Sequence, residues 1–100
     1  MPVNPIELHV DLEVDPARES DLVDTFRKVF QPTIARQPGF VFVTLLKARA
    51  SGAYRLVISF ETEEQRVTWV GTEDHQRVWP QMEANLKGAK YSGMLWCRTG

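Results

Sequence analysis

The feature that most limits what this chain can fold into is the strict alternation over residues 6–14. Ile6, Leu8, Val10, Leu12 and Val14 fall on one side, and Glu7, His9, Asp11 and Glu13 fall on the other. Five apolar residues at period two predict a strand with one buried face and one polar face. Such a strand needs a covering layer on its apolar side. The alternation stops at Asp15-Pro16. Asp can accept from the free amides of a starting helix, and Pro loses no hydrogen bond at the first helical position.

Helical spacing follows. Leu22, Val23, Phe26, Val29, Phe30 and Ile34 make one apolar stripe. Pro32 interrupts it and predicts a kink or a weakened turn. Pro38-Gly39 predicts a stop near Gln37. A second strand is expected from Phe40 to about Ala50, a turn at Ser51-Gly52, and a third strand from about Tyr54 to Glu61, together an antiparallel hairpin. Thr62-Glu63-Glu64-Gln65 has the form of a capping box. Its helix carries Val67, Trp69 and Val70 and breaks at Gly71. Thr72-Glu73-Asp74 reads as a second cap, opening a helix with His75, Val78, Trp79, Met82 and Leu86, an awkwardly placed Pro80, and an end at Lys87-Gly88. The last strand is expected from about Lys90 to Arg98, with Gly93 as a bulge or close-approach site.

The order β-α-β-β-α-β is that of a ferredoxin-like α+β domain, an antiparallel four-stranded sheet with helices on one face. The chain has 100 residues, 43% hydrophobic and 25% charged, which allows a single domain over residues 1–100 with one core. The other sheet face, with Glu7, His9, Arg55, Ser59, Met94 and Trp96, has no cover from within the chain. Apolar area of that kind is usually covered, and a second copy in a homodimer is the simplest cover. A formal net charge of −1 argues against a general nucleic-acid binder. No apolar run approaches the roughly 20 residues that span a bilayer. The segment Met1-Pro2-Val3-Asn4-Pro5 has neither the basic nor the apolar region of a signal peptide, so a cytoplasmic protein without a membrane segment is expected. Cys97 is the one cysteine, which excludes an intrachain disulfide, and it reads as structural.

Four segments together suggest a family: Gln37-Pro38-Gly39-Phe40 entering strand two, Tyr54 to Phe60 as strand three, Thr62-Glu63-Glu64-Gln65 opening a helix, and Trp69-Val70-Gly71-Thr72-Glu73-Asp74-His75. Placed in this element order, they resemble the antibiotic biosynthesis monooxygenase family over about residues 6–98. The resemblance implies a dimeric α/β barrel, with two ferredoxin-like sheets facing one another, and a small hydrophobic pocket in each subunit. Some members oxygenate anthrones and quinols without metal or flavin, others degrade haem, and others oxidise quinols as stress enzymes. Fold therefore follows from membership more firmly than reaction. The haem-degrading branch resembles itself in an Asn near strand one, a Trp on the second helical segment and a haem-ligating His further on. Here Trp69 is present, but Trp79 stands where that His would fall, and His75 comes too early. Asn4 and Asn85 both lie outside strand one. Haem degradation is the less favoured reading.

His75 is the most suggestive residue. Three positions after Thr72, it falls in the first turn of a helix, whose positive end favours the neutral imidazole. A neutral imidazole can act as a base towards a phenol or an enolisable ketone. The resulting carbanion can pass an electron to O2 without a metal. The plainer alternative is that His75 caps or packs. His9, beside Glu7 and Asp11, reads either as a proton relay or as part of an interfacial polar network. Trp69 and Trp79, with Phe42 and Tyr54, could wall a pocket for a flat ligand or serve as core alone. Tyr54 could also donate its hydroxyl to a ligand carbonyl. Two distant histidines and one cysteine fit no metal-ligand spacing, and no Gly-x-Gly-x-x-Gly is present, so no metal or nucleotide cofactor is expected. The leading expectation is a cofactor-independent monooxygenase acting on a small aromatic substrate and O2. The alternative is a non-catalytic dimeric barrel that binds a small hydrophobic ligand.

Overall fold

The computed structural model describes residues 4–100; Met1-Pro2-Val3, part of the N-terminal segment discussed above, lies outside the described residues. Four strands, β1 (Ile6–Val14), β2 (Phe40–Lys47), β3 (Tyr54–Phe60) and β4 (Leu86–Cys97), form one antiparallel sheet in the order β2-β3-β1-β4. Between β1 and β2 the chain runs through a short turn of 3-10 helix (Pro16–Arg18), α1 (Glu19–Thr25), a π-helical stretch (Phe26–Phe30) and α2 (Gln31–Ile34). Between β3 and β4 lie α3 (Glu63–Val70) and α4 (Glu73–Glu83). This is the expected ferredoxin-like βαββαβ fold, with the second helix broken at Gly71-Thr72.

The register explains the two faces of the sheet. Leu8 lies between Ile58 and Leu95, and Val10 between Leu56 and Gly93, on the side packed against the helices. Glu7 lies between Ser59 and Trp96, His9 between Val57 and Met94, and Asp11 between Arg55 and Ser92, on the opposite side. Gly93 is a close-approach site rather than a bulge, since a Cβ there would sit 3.3 Å from the Leu8 side chain. The core joins Leu22, Phe26, Phe30 and Ile34 of the first helical run to Leu56, Ile58 and Phe60 of β3 and to Trp69, Val78 and Met82.

The kink expected at Pro32 takes the form of a change in winding. Pro32 has no N–H and its ring presses on the carbonyl four residues back, which a wider turn relieves. The Gln31 N–H accordingly donates to the Phe26 carbonyl. The first helical run ends at Ile34, three residues before the expected Gln37, and β2 ends at Lys47 rather than near Ala50. The expected end of the last helix is also corrected. It stops at Glu83, and Leu86 opens β4, opposite Val14 and 6% exposed. Asn85 ends the helix by donating its backbone N–H to Met82 and its side-chain amide to Gln81, while its carbonyl accepts from Asp15. Gly88 (φ +66°) and Ala89 (φ +55°) therefore form an irregularity inside the strand, where the β1–β4 register shifts between Leu12 and Val14. Cys97 is exposed at the end of β4, so the structural reading of its thiol is not upheld. None of the described helices is long and apolar enough to cross a membrane.

Candidate active site

A cavity of about 220 Å³ opens between the α3–α4 corner and the helix-facing side of the sheet. Leu8 and Val10 of β1 with Leu56 and Ile58 of β3 form its floor, and Phe30 closes one side. Arg66, Trp69 and Val70 from α3, His75 and Trp79 from α4, and Tyr91 from β4 complete the walls. The volume falls below the usual range for drug-sized ligands, so the cavity suits a small ligand.

Thr72 builds the corner. Its hydroxyl donates to the Trp69 carbonyl at 2.7 Å, at the end of α3, and accepts from the His75 N–H at 3.1 Å, at the start of α4. One side chain thus links the backbones of two wall residues. The Trp69 and His75 rings meet edge to face, with centroids 5.0 Å apart and planes at 81°. Trp79 lies nearly parallel to His75 at 6.3 Å, and it also meets Tyr91 at 5.1 Å and Phe30 at 6.1 Å, both edge to face. His75 is half-buried, and its Nδ1 is sealed from solvent with no hydrogen-bond partner. Burial in these apolar surroundings pulls its pKa below the usual 6.5, so the imidazole is neutral at neutral pH. The neutral form expected at the helix start is therefore produced by desolvation.

Arg66 is the cationic side chain of the wall. Glu63, three residues earlier on α3, grips it with two bonds, Nε to Oε1 and Nη2 to Oε2, both 2.7 Å. The pairing raises the guanidinium pKa and lowers that of the Glu63 carboxyl, so both groups stay charged.

The structure brings together three of the residues singled out from sequence: His75, Trp69 and Trp79. Three others lie elsewhere. Phe42 is opposite Ser59 on the uncovered face, because β2 carries an extra residue between Phe40 and Phe42 that reverses the alternation. His9 is on that same face, 3.1 Å from Glu7 and 5.8 Å from the Trp96 ring, while Arg55 takes Asp11. His9 and Arg98 both bond to Glu7 and hold its carboxyl below the usual carboxylate range. Tyr54 is buried at the far end of β3, where its hydroxyl donates to Glu19 at 2.9 Å and Lys47 meets the same oxygen. That bond commits the hydroxyl proton, so none is left for a ligand carbonyl. Arg66 and Tyr91 were not anticipated. Arg66 stands three residues before Trp69, a spacing that puts both on one helix face. Tyr91 alternates with Met94 and Trp96 across a strand, which places it on the helix side. Among the described residues no group of His, Cys, Asp and Glu is arranged to hold a metal ion.

Fold and site together define a ferredoxin-like domain with an apolar, aromatic-walled cavity and one neutral imidazole in its wall. The sequence profile of the antibiotic biosynthesis monooxygenase family matches residues 5–80, and the chain belongs to that family. No curated protein matches it. Solved structures show the same fold. A candidate antibiotic biosynthesis monooxygenase of Bordetella bronchiseptica superposes with a TM-score of 0.87 at 19% identity, over 97% of this chain and 99% of that one. SnoaB of Streptomyces nogalater, a cofactor-independent oxygenase, superposes with a TM-score of 0.84 at 17% identity, over 98% and 96%. A conserved protein of Methanosarcina mazei reaches 0.83 at only 8% identity, over 96% and 94%.

Proposed function

We propose that the protein is a cofactor-independent monooxygenase that oxidises a small electron-rich aromatic, a quinol or anthrone-like compound, with O2, and that it works as a homodimer. The observation that carries this reading is the neutral imidazole of His75, set in an apolar cavity between Trp69 and Trp79 and without a hydrogen-bond partner at its buried nitrogen. A polar group left unsatisfied in an apolar site favours a ligand that can engage it. Family membership and the likeness to SnoaB favour oxygenation over mere ligand storage.

The role assigned to His75 is that of general base, and Trp69 and Trp79 hold the aromatic plane. For an anthrone the reaction balances as follows. His75 takes one proton from the ring methylene, and the carbanion passes one electron to O2. Superoxide and the substrate radical combine at that carbon, forming a C–O bond. The peroxide O–O bond then breaks as the second methylene proton is lost. One oxygen atom remains as the carbonyl and the other leaves as water, with the proton on His75 returned to it.

The test is oxygen uptake by the purified protein with a panel of quinols and anthrones and no added cofactor, for the wild type and for His75→Ala. Turnover that falls by about 10²-fold or more in the variant is expected, the usual scale for a general base. Binding of the panel without uptake would instead favour the non-catalytic ligand-binding barrel.

A further inference from the structure

We propose that Arg66 holds the substrate oxygen on which negative charge collects as the proton leaves, so that the cavity selects neutral phenols and enolisable aromatic ketones over aromatic carboxylates. This rests on the reading of the cavity as a binding site for an oxygenated aromatic.

A phenolate or enolate forming inside this cavity would face Leu8, Val10, Leu56 and Ile58 and the faces of two indoles. Charge in such surroundings is strongly disfavoured unless a fixed donor meets it. The polar side chains in the wall are His75, Tyr91 and Arg66, and of these only Arg66 is a permanent cation. Its side chain is 17% exposed, so little water competes for its donors there. Glu63 holds Nε and Nη2 and fixes the plane of the guanidinium, while Nη1 makes no hydrogen bond among the described residues. A rigid group with one free pair of N–H donors is ready to take an oxygen without reorganising.

The Glu63 carboxylate also sets the selectivity. With it, Arg66 forms a neutral pair that presents a donor and no net charge. A ligand arriving with a full negative charge gains little attraction from such a pair and meets the Glu63 carboxylate close by. A neutral ligand that develops charge only when His75 takes its proton avoids that repulsion until it is bound. Because burial weakens His75 as a base, the substrate must be acidified in place, and a donor on the incipient oxyanion does that.

The test uses para-nitrophenol, whose ionisation is read from its visible absorbance, and para-nitrotoluene, a non-ionisable analogue of similar shape. In the wild type the bound phenol should ionise at lower pH than in Arg66→Gln. The expected difference is about one pKa unit, a tenfold change in the ionised-to-neutral ratio. Affinity for para-nitrotoluene should be the same in both. Arg66→Lys should recover part of the difference. Glu63→Gln, which removes the negative charge and can keep only one of the two bonds to Arg66, should lower the bound phenol's pKa further and improve binding of para-nitrobenzoate. Equal ionisation in wild type and Arg66→Gln, with para-nitrotoluene binding intact, would overturn the role of Arg66 and leave the cavity reading standing. Failure of both probes to bind the wild type would remove the cavity reading and this inference with it. If Arg66→Gln loses its circular dichroism spectrum, Glu63→Gln decides: a lower bound pKa supports the proposal, and an unchanged one refutes it.

Discussion

At the scale of single residues, the proposed chemistry turns on the surroundings of His75. Burial lowers its pKa from 6.5, and a base acts only in its neutral form. The acid limb of kcat/KM for oxygen uptake should therefore lie below pH 6.5, and it should vanish in His75→Gln; a limb above 6.5 would contradict the assigned role. Stability follows the same sign. The unfolded chain binds the proton more readily than the folded one, so stability is full above 6.5 and declines as pH falls from there through the folded-state value. His75→Gln should flatten that part of a stability-pH profile. Thr72 positions this imidazole without touching the cavity. Thr72→Val removes the bonds to Trp69 and His75 and should cost about 1 kcal/mol in denaturant unfolding, a typical value for an N-cap. A loss of kcat beyond what unfolding explains would separate positioning from stability. Much at this scale was legible. The place of His75 in the first turn of α4 was read through the Thr72 cap, because capping geometry is local. Phe42 was not placed correctly, because one extra residue in β2 reverses which face it occupies, and no turn residue marks the bulge. The bond that Tyr54 makes was not legible, because its partner Glu19 is 35 positions away and no local pattern reveals it.

At the scale of elements, two segments that carried the family resemblance prove to touch. Gly39 ends the helix–strand connection with φ +81°, a conformation that favours glycine. A Cβ at this position would lie 2.1 Å from Oε1 of Gln65. Gln65 is the fourth residue of the Thr62 capping box. Its backbone N–H donates to the Thr62 hydroxyl at 3.2 Å, and that hydroxyl donates to its side-chain oxygen at 3.1 Å. Glycine at 39 therefore leaves the space in which the start of α3 is capped, and α3 carries Arg66 and Trp69 into the cavity wall. Gly39→Ala should lower stability by about 1–2 kcal/mol for the left-handed backbone alone. Displacement of Gln65 should add to that. Denaturant unfolding gives the total, and a change below about 0.5 kcal/mol, the scale of an ordinary surface substitution, would show that neither effect operates. The elements themselves were readable because each has a clear period, as in the alternation of β1 and the apolar stripe from Leu22 to Ile34. Their ends were less so. Lys87-Gly88 looks like a helix stop in sequence, but Asn85 stops the helix first, through bonds that tie it to Gln81, Met82 and Asp15.

At the scale of the whole molecule, the two faces of the sheet have unequal cover. The helices bury one. On the other, Leu46, Met94 and Trp96 remain 49%, 60% and 52% exposed, in line with the sequence-based expectation of an uncovered face. Glu7, Val57 and Ser59 on the same face are buried by their neighbours within the sheet, so its centre is already dry while its flanks are not. A face that is dry at the centre and apolar at the flanks suits an extended, flat contact better than a small ligand. Two copies related by a two-fold axis would each present Trp96, and a substitution there acts twice in one interface. If Trp96 is an aromatic anchor of that contact, its loss costs about 2 kcal/mol per copy, the usual threshold for such positions. Doubled, that weakens dimerisation by about a thousandfold. Trp96→Glu should then run as a monomer by light scattering at micromolar concentration, where the wild type should run as a dimer. The cavity lies on the helix side of the sheet, so binding of para-nitrotoluene should survive in the monomer if α3, α4 and the sheet form it unaided. A wild type that is monomeric at high concentration would remove the second copy as the cover of this face. A Trp96→Glu protein that stays dimeric would move the interface away from it.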